Sequence, residues 1–301
     1  MTSHVSRIVT AVLLCGCAAG AGFLQRDNRV ANDAGVAAPS PAAEMIVAGL
    51  GGFRSIVAEV VWFRADRLQD EGRYAELAQL STWLTFLEPH TPEVWAYAAW
   101  NLAYNVSVMM PTPEDRWRWV EAGIRLLRDD GLRLNPRDAV LYKEIAWMFL
   151  LKIGAHLDDA GAYYRSAWKD IVRKAQREGR LSDIGLDPSR MAFVEADYGR
   201  QNWTSPFASA LYWASTGLTL VRTPRQRNEL RQITYQALML QAREDAAVAP
   251  RALQELLTAY NENPSGQLLQ VIENFAARHQ LDEAEMVRQG RLELPTPSLG
   301  N

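Results

Sequence analysis

Cysteine occurs at only two of the 301 positions, Cys15 and Cys17. The chain beyond residue 17 therefore offers no thiol for a disulfide, a thiolate metal site or a nucleophile. An excess of one charge is also missing. The 32 basic side chains against 35 acidic ones leave a formal net charge of −3. No basic face is implied, and nucleic acid is not an expected partner. Period-two alternation with hairpin turns is absent, which excludes a sheet. So are G-x-S-x-G, a phosphate-binding loop ending in Lys-Ser or Lys-Thr, and G-x-G-x-x-G opening from a strand. Gly49–Gly52 (GLGG) has the glycines without the residues that should follow them. Histidine is scarce, four in all, and none is spaced as in H-E-x-x-H. His156-x-Asp158-Asp159 groups metal-ligand residue types, but aspartate at a helix start more simply caps that helix. No catalytic residue, metal ligand or cofactor is assigned.

What the chain does have begins with an apolar run, Ile8–Leu24, behind a positive Arg7. Residues 1–24 read as a targeting or anchoring segment, in one of three ways. Ala19-Gly20-Ala21 is a small-residue cleavage site for a signal peptide. Leu14-Cys15-Gly16-Cys17 resembles a bacterial lipobox, which would leave Cys17 lipidated. A run of this length also reaches the short limit for spanning a bilayer uncleaved. All three place the body in the cell envelope, outside the cytoplasm. Residues 25–45, rich in Ala, Pro, Asp and Asn, read as a flexible tether. Residues 291–301, with Pro295 and Pro297, read as a disordered tail.

Between them, residues 46–290 form one helical domain. Trp117, Val120, Ile124, Leu127, Gly131 and Leu134 step by three and four, as do Tyr142, Ile145, Phe149 and Ile153. Such stripes turn one face of a helix into a core. Breakers set the expected spans: 51–70, 74–87, 92–108, a helix opening at Glu114 and Asp115 and ending at Asn135-Pro136, then 138–153, 158–178, 206–221, 225–245, 250–262 and 265–279. Residues 180–205, with Gly185, Pro188, Gly199 and Pro206 at its edge, read as a long irregular stretch. Such a loop is often functional, and Asp197-Tyr198-x-x-x-Asn202-Trp203 is its candidate cluster.

Trp95-x2-Ala98-Ala99-x2-Leu102 and Tyr142-x2-Ile145-Ala146-x2-Phe149 each begin six residues after a proline, Pro89 and Pro136. Gly72-x-Tyr74 has the form of an inter-helix turn, and Gly131-Leu132-Arg133-Leu134-Asn135-Pro136 that of a repeat ending. Together these resemble the tetratricopeptide repeat. The match departs from that family in its period, 47 residues between prolines, and at Ser81 and Arg128, where an aromatic is usual. The resemblance implies an all-α fold, a tetratricopeptide-like α-solenoid of antiparallel helix pairs. The run from Gly51-Gly52-Phe53-Arg54 to Asn105 is also similar to a group of N-terminally anchored bacterial proteins, which implies no activity.

In that family the first helix of each pair lines a concave groove. Carried onto matching positions, this implies a groove of Trp62, Asp66 and Gln69, then Glu93, Trp100 and Tyr104, then Lys143 and Trp147. Rings supply contact area and charges set register. The partner implied is a protein or peptide segment of another envelope protein. At helical spacing the same tryptophans also suit packing against neighbouring helices. Two further functions stay open: a helical hydrolase acting on glycan or peptidoglycan, and a structural subunit of a membrane complex.

Overall fold

The computed structural model describes residue 49 and residues 53–155 and 158–281. The segments 1–24, 25–45 and 291–301, with Cys17, lie outside the described residues, as does His156. Among those described, every regular element is a helix. They are α1 (Arg54–Asp70), α2 (Tyr74–Leu87), α3 (Pro92–Trp100), α4 (Pro113–Arg125), α5 (Ala139–Trp147), α6 (Gly161–Glu178), α7 (Pro188–Tyr198), α8 (Pro206–Leu218), α9 (Pro224–Glu244), α10 (Ala249–Glu262) and α11 (Gly266–His279). No described helix is long and apolar enough to cross a membrane.

The starts follow from local chemistry. Thr112, Asp187, Ser205, Thr223 and Ser265 each accept a backbone N–H of the first turn. Pro113, Pro188, Pro206 and Pro224 occupy first positions, where the missing N–H costs nothing. The Gly72 turn has φ +69°, the left-handed region that glycine enters without strain.

Helices α1 and α2 run antiparallel, as an end-to-end contact shows. Arg54, at the start of α1, donates to the carbonyls of Phe86 and Leu87 at the end of α2. Asn101 meets Ser81 across α3 and α2. Gly123 of α4 lies so close to α3 that a methyl there would sit 2.8 Å from the Ala99 carbonyl. Contacts also form between helices further apart in the chain: α3 packs on α5, and α5 on α9. α8 is buried almost all round and forms the centre of the second half, between α5 and α9. The α6 helix lies against α4, and α7 against α8.

Two units repeat at 47 residues in detail. The Trp95 indole N–H donates to the Pro89 carbonyl at 2.9 Å, and the Tyr142 hydroxyl to the Pro136 carbonyl at 3.0 Å. The ring six residues after each proline thus ties the helix to the loop that precedes it. Both helices then widen into a π-helical turn at the same register, Asn101–Val106 after α3 and Met148–Gly154 after α5. Asn135 also donates to the Pro89 carbonyl, joining one closing loop to the next. Trp95→Phe removes both the donor and one ring of a buried indole, and should cost about 2–4 kcal/mol in urea unfolding. Tyr142→Phe should cost less, because water reaches the half-buried Tyr142 and replaces its partner. Equal losses would sink that account.

Residues 180–205 are not a long loop. A 3-10 turn (Leu181–Ile184) and α7 fill most of it. Pro188 opens α7 behind the Asp187 cap, so the proline that reads as a breaker is a helix start.

Candidate functional site

One surface is built by α1, α3, α5 and α9. It holds two hollows that share Trp100 and Glu144. The first, about 380 Å³, is lined by Gln69, Tyr74, Tyr97, Trp100, Asn101, Asn105 and Glu144. The second, about 280 Å³, is lined by Trp100, Lys143, Glu144, Trp147, Glu229, Gln232 and Ile233.

Trp100 is the centre. Its side chain is 43% exposed although it lies in a packed helix. It is held by stacking on Tyr104, with centroids 4.3 Å apart and planes 19° off parallel. Tyr104 is the half-buried layer beneath, its hydroxyl enclosed. Its hydroxyl has no hydrogen-bond partner, and burial holds its pKa far above the usual phenol range. On the α1 side, Trp62 tilts against Tyr97 at 4.9 Å, and the Tyr97 hydroxyl donates to Gln69 at 3.1 Å. Burial raises the Tyr97 pKa as well.

The polar groups are oriented by a relay. Asn105 donates to Asn101 at 2.6 Å, Asn101 to Ser81 at 3.2 Å, and Ser81 to the Leu77 carbonyl. Ser81, where the repeat family has a ring, is thus a buried anchor for the groove amides. Lys143 stands between Glu144 at 3.1 Å and Glu229 at 3.2 Å. Burial opposes its charge, but the two carboxylates outweigh that and raise its pKa. For Glu229, burial favours the neutral acid, yet hydrogen bonds from Arg225 and Lys143 prevail and hold it below the usual range.

Four of the residues expected in a groove therefore line the hollows: Gln69, Trp100, Lys143 and Trp147. Trp62 and Tyr104 support them from behind. Asp66 is exposed on α1 without lining either hollow, and Glu93 is exposed in the first turn of α3, also outside them. Sequence reasoning missed Tyr97, Asn101, Asn105, Glu144, Glu229 and Gln232. The pair Asn101 and Asn105, four apart on an apolar helix, was the available signal.

The second cluster, Asp197-Tyr198-x-x-x-Asn202-Trp203, is structural. Tyr198 and Trp203 are buried, and the Trp203 N–H donates to Glu195 at 2.9 Å. Trp203 also meets Tyr212 of α8 edge-on. The ring plugs the chain onto the central helix. Of the histidine–aspartate group, Asp158 is engaged by Lys152 and by the Ala160 N–H. Among the described residues no three metal-ligand side chains converge.

Comparison with known proteins finds no matching family model, curated protein or solved structure.

Proposed function

We propose that the protein is a membrane-tethered, extracytoplasmic scaffold that grips an extended segment of another envelope protein along the surface of α1, α3, α5 and α9. The observation that carries this is the half-exposed Trp100, stacked on the half-buried Tyr104 on the wall between two hollows. An exposed ring fixed in place offers contact area with little ordering left to lose. Asn105, Gln69 and Gln232 beside it offer both donors and acceptors, which suits a peptide main chain. Helices α1, α3 and α5 follow each other in space as first helices of pairs do, supporting a tetratricopeptide-like stack with a 47-residue repeat. The run Ile8–Leu24 supplies the tether.

A hydrolytic reading needs two opposed carboxylates, one with a raised pKa. In the second hollow Glu144 and Glu229 both face Lys143, and Glu229 is held low. That arrangement favours binding.

The test is crosslinked co-purification from solubilised native membranes. A stoichiometric partner should appear with the wild type and fall at least about tenfold with Trp100→Ala, Lys143→Ala. The melting temperature should stay within a few degrees, since both side chains are partly exposed. An unchanged partner yield would reject the groove. Recovery of the protein alone would reject the scaffold.

A further inference from the structure

Exposed large apolar side chains are unevenly spread over the described residues. Four of nine fall within eleven consecutive positions: Phe53 at 69%, Ile56 at 56%, Val60 at 64% and Phe63 at 77%. Their spacing of three, four and three sets them in one stripe along α1 and the residue before it. The stripe lies opposite Ala58, Ala65 and Leu68, which face the core. By the same periodicity, Arg64 and Arg67, both exposed, extend the stripe at its C-terminal end. Glu59 and Asp66 fall at its edge, toward Trp62 and Gln69. Arg54 is engaged elsewhere, on the carbonyls at the end of α2.

An apolar stripe of this size on a folded helix marks a contact surface. Two rings and two aliphatic side chains fall short of the roughly 800 Å² per partner that a stable protein pair buries. A surface that needs no shape match, and that is always near, is a better occupant. Residues 25–52, 28 in all, separate the stripe from the apolar run Ile8–Leu24. The part of that stretch whose composition reads as a tether, residues 25–45, would have a mean reach of about 25 Å as a flexible chain. A bilayer holding the run is then presented to α1 at high effective concentration.

We propose that the outer face of α1 lies on the lipid bilayer, with Phe53, Ile56, Val60 and Phe63 in the acyl boundary and Arg64 and Arg67 among the headgroups. This rests on the reading of residues 8–24 as a retained anchor. Its consequence is orientation. Gln69, which lines the first hollow, and Trp62, which supports it, lie on a different face of the same helix, so the groove opens beside the membrane and stays clear of it.

The test uses the full chain with Cys15 and Cys17 replaced by Ser, and Phe63→Cys carrying a polarity-sensitive fluorophore. The chain is reconstituted in vesicles of phosphatidylcholine and phosphatidylglycerol. A control carries the same label at Arg133→Cys, an exposed position outside α1. Co-flotation, a blue shift at 63 and about tenfold weaker iodide quenching there than at 133 are expected. Phe53→Ser, Ile56→Ser, Val60→Ser should abolish the shift while leaving flotation intact. Flotation with a water-exposed label at 63 overturns the docking and leaves the anchor standing. Failure to float overturns the anchor and the docking together. A blue shift equally present in detergent, with crosslinked dimers, assigns the stripe to a second copy and also overturns it.

Discussion

Lys152→Ala should lower the stability of the helical domain by about 3–5 kcal/mol, near 10 °C in melting temperature. Lys152 is 5% exposed, in the π-helical turn that follows α5. Its ammonium lies 2.5 Å from Asp158 and close to the rings of Tyr104 and Tyr164, at 5.2 and 5.8 Å. Asp158 is itself nearly enclosed. It takes the Ala160 N–H at 2.9 Å and the Tyr164 hydroxyl at 3.4 Å, with Arg116 at 3.8 Å. Removing the lysine leaves a desolvated carboxylate with weaker partners, and that residue of charge is the main cost. Lys152→Met, Asp158→Asn removes both charges and should recover part of the loss. A double variant as unstable as the sum of the singles would show that the pair is not coupled.

The same pair predicts an acid response. Burial pushes Asp158 toward its neutral form, but the Lys152 hydrogen bond and the Ala160 N–H outweigh it and hold its pKa below the usual carboxylate value. A carboxyl more acidic in the folded state contributes fully above its unfolded pKa, near 4 (about), and loses that contribution as pH falls through the folded value. Wild-type stability should therefore drop more steeply than that of Lys152→Ala between about pH 4 and pH 2. Parallel curves from urea unfolding at each pH would contradict this.

Gly154→Ala should cost about 2–3 kcal/mol, although alanine is the better helix former. Gly154 is buried at the end of the same π-helical turn. A methyl there would overlap the Phe207 ring at the start of α8 and sit 2.9 Å from the Phe149 carbonyl. Phe207 is 5% exposed and has little room to retreat. The clash prises apart α5 and α8, the central contact of the second half. Shortening the ring should relieve it: Gly154→Ala in a Phe207→Leu background should be much milder than in the wild type. An undiminished penalty would place the strain in the backbone instead.

Part of the candidate site was legible in the chain, and the division has a cause. Trp100 and Trp147 stand 47 residues apart at equivalent places behind Pro89 and Pro136, so one repeat projected onto the next put both on the same surface. Lys143 and Gln69 followed from helical periodicity. Glu229 and Gln232 did not. They reach Lys143 and Trp147 only because α6 and α7 pass aside and let α9 pack on α5, an arrangement between residues 86 positions apart. Glu93 and Asp66 line neither hollow, for a local reason: spacing gives a face of a helix but not how far the neighbouring helix stands from it.

The sequence by itself determined most of the helices, their turns and their starts, because proline, glycine, capping side chains and a 3.6-residue apolar period act within a few residues; α7 escaped it because Pro188 and Gly185 read as breakers. It also shows that the chain beyond residue 17 carries no thiol. Only the tertiary structure decided which tryptophans remain accessible, since Trp95, Trp117, Trp168, Trp203 and Trp213 are buried and Trp100 is not. Exposure is set by the distance between packed elements, and the same residue type at the same period serves as core or as contact surface according to that distance.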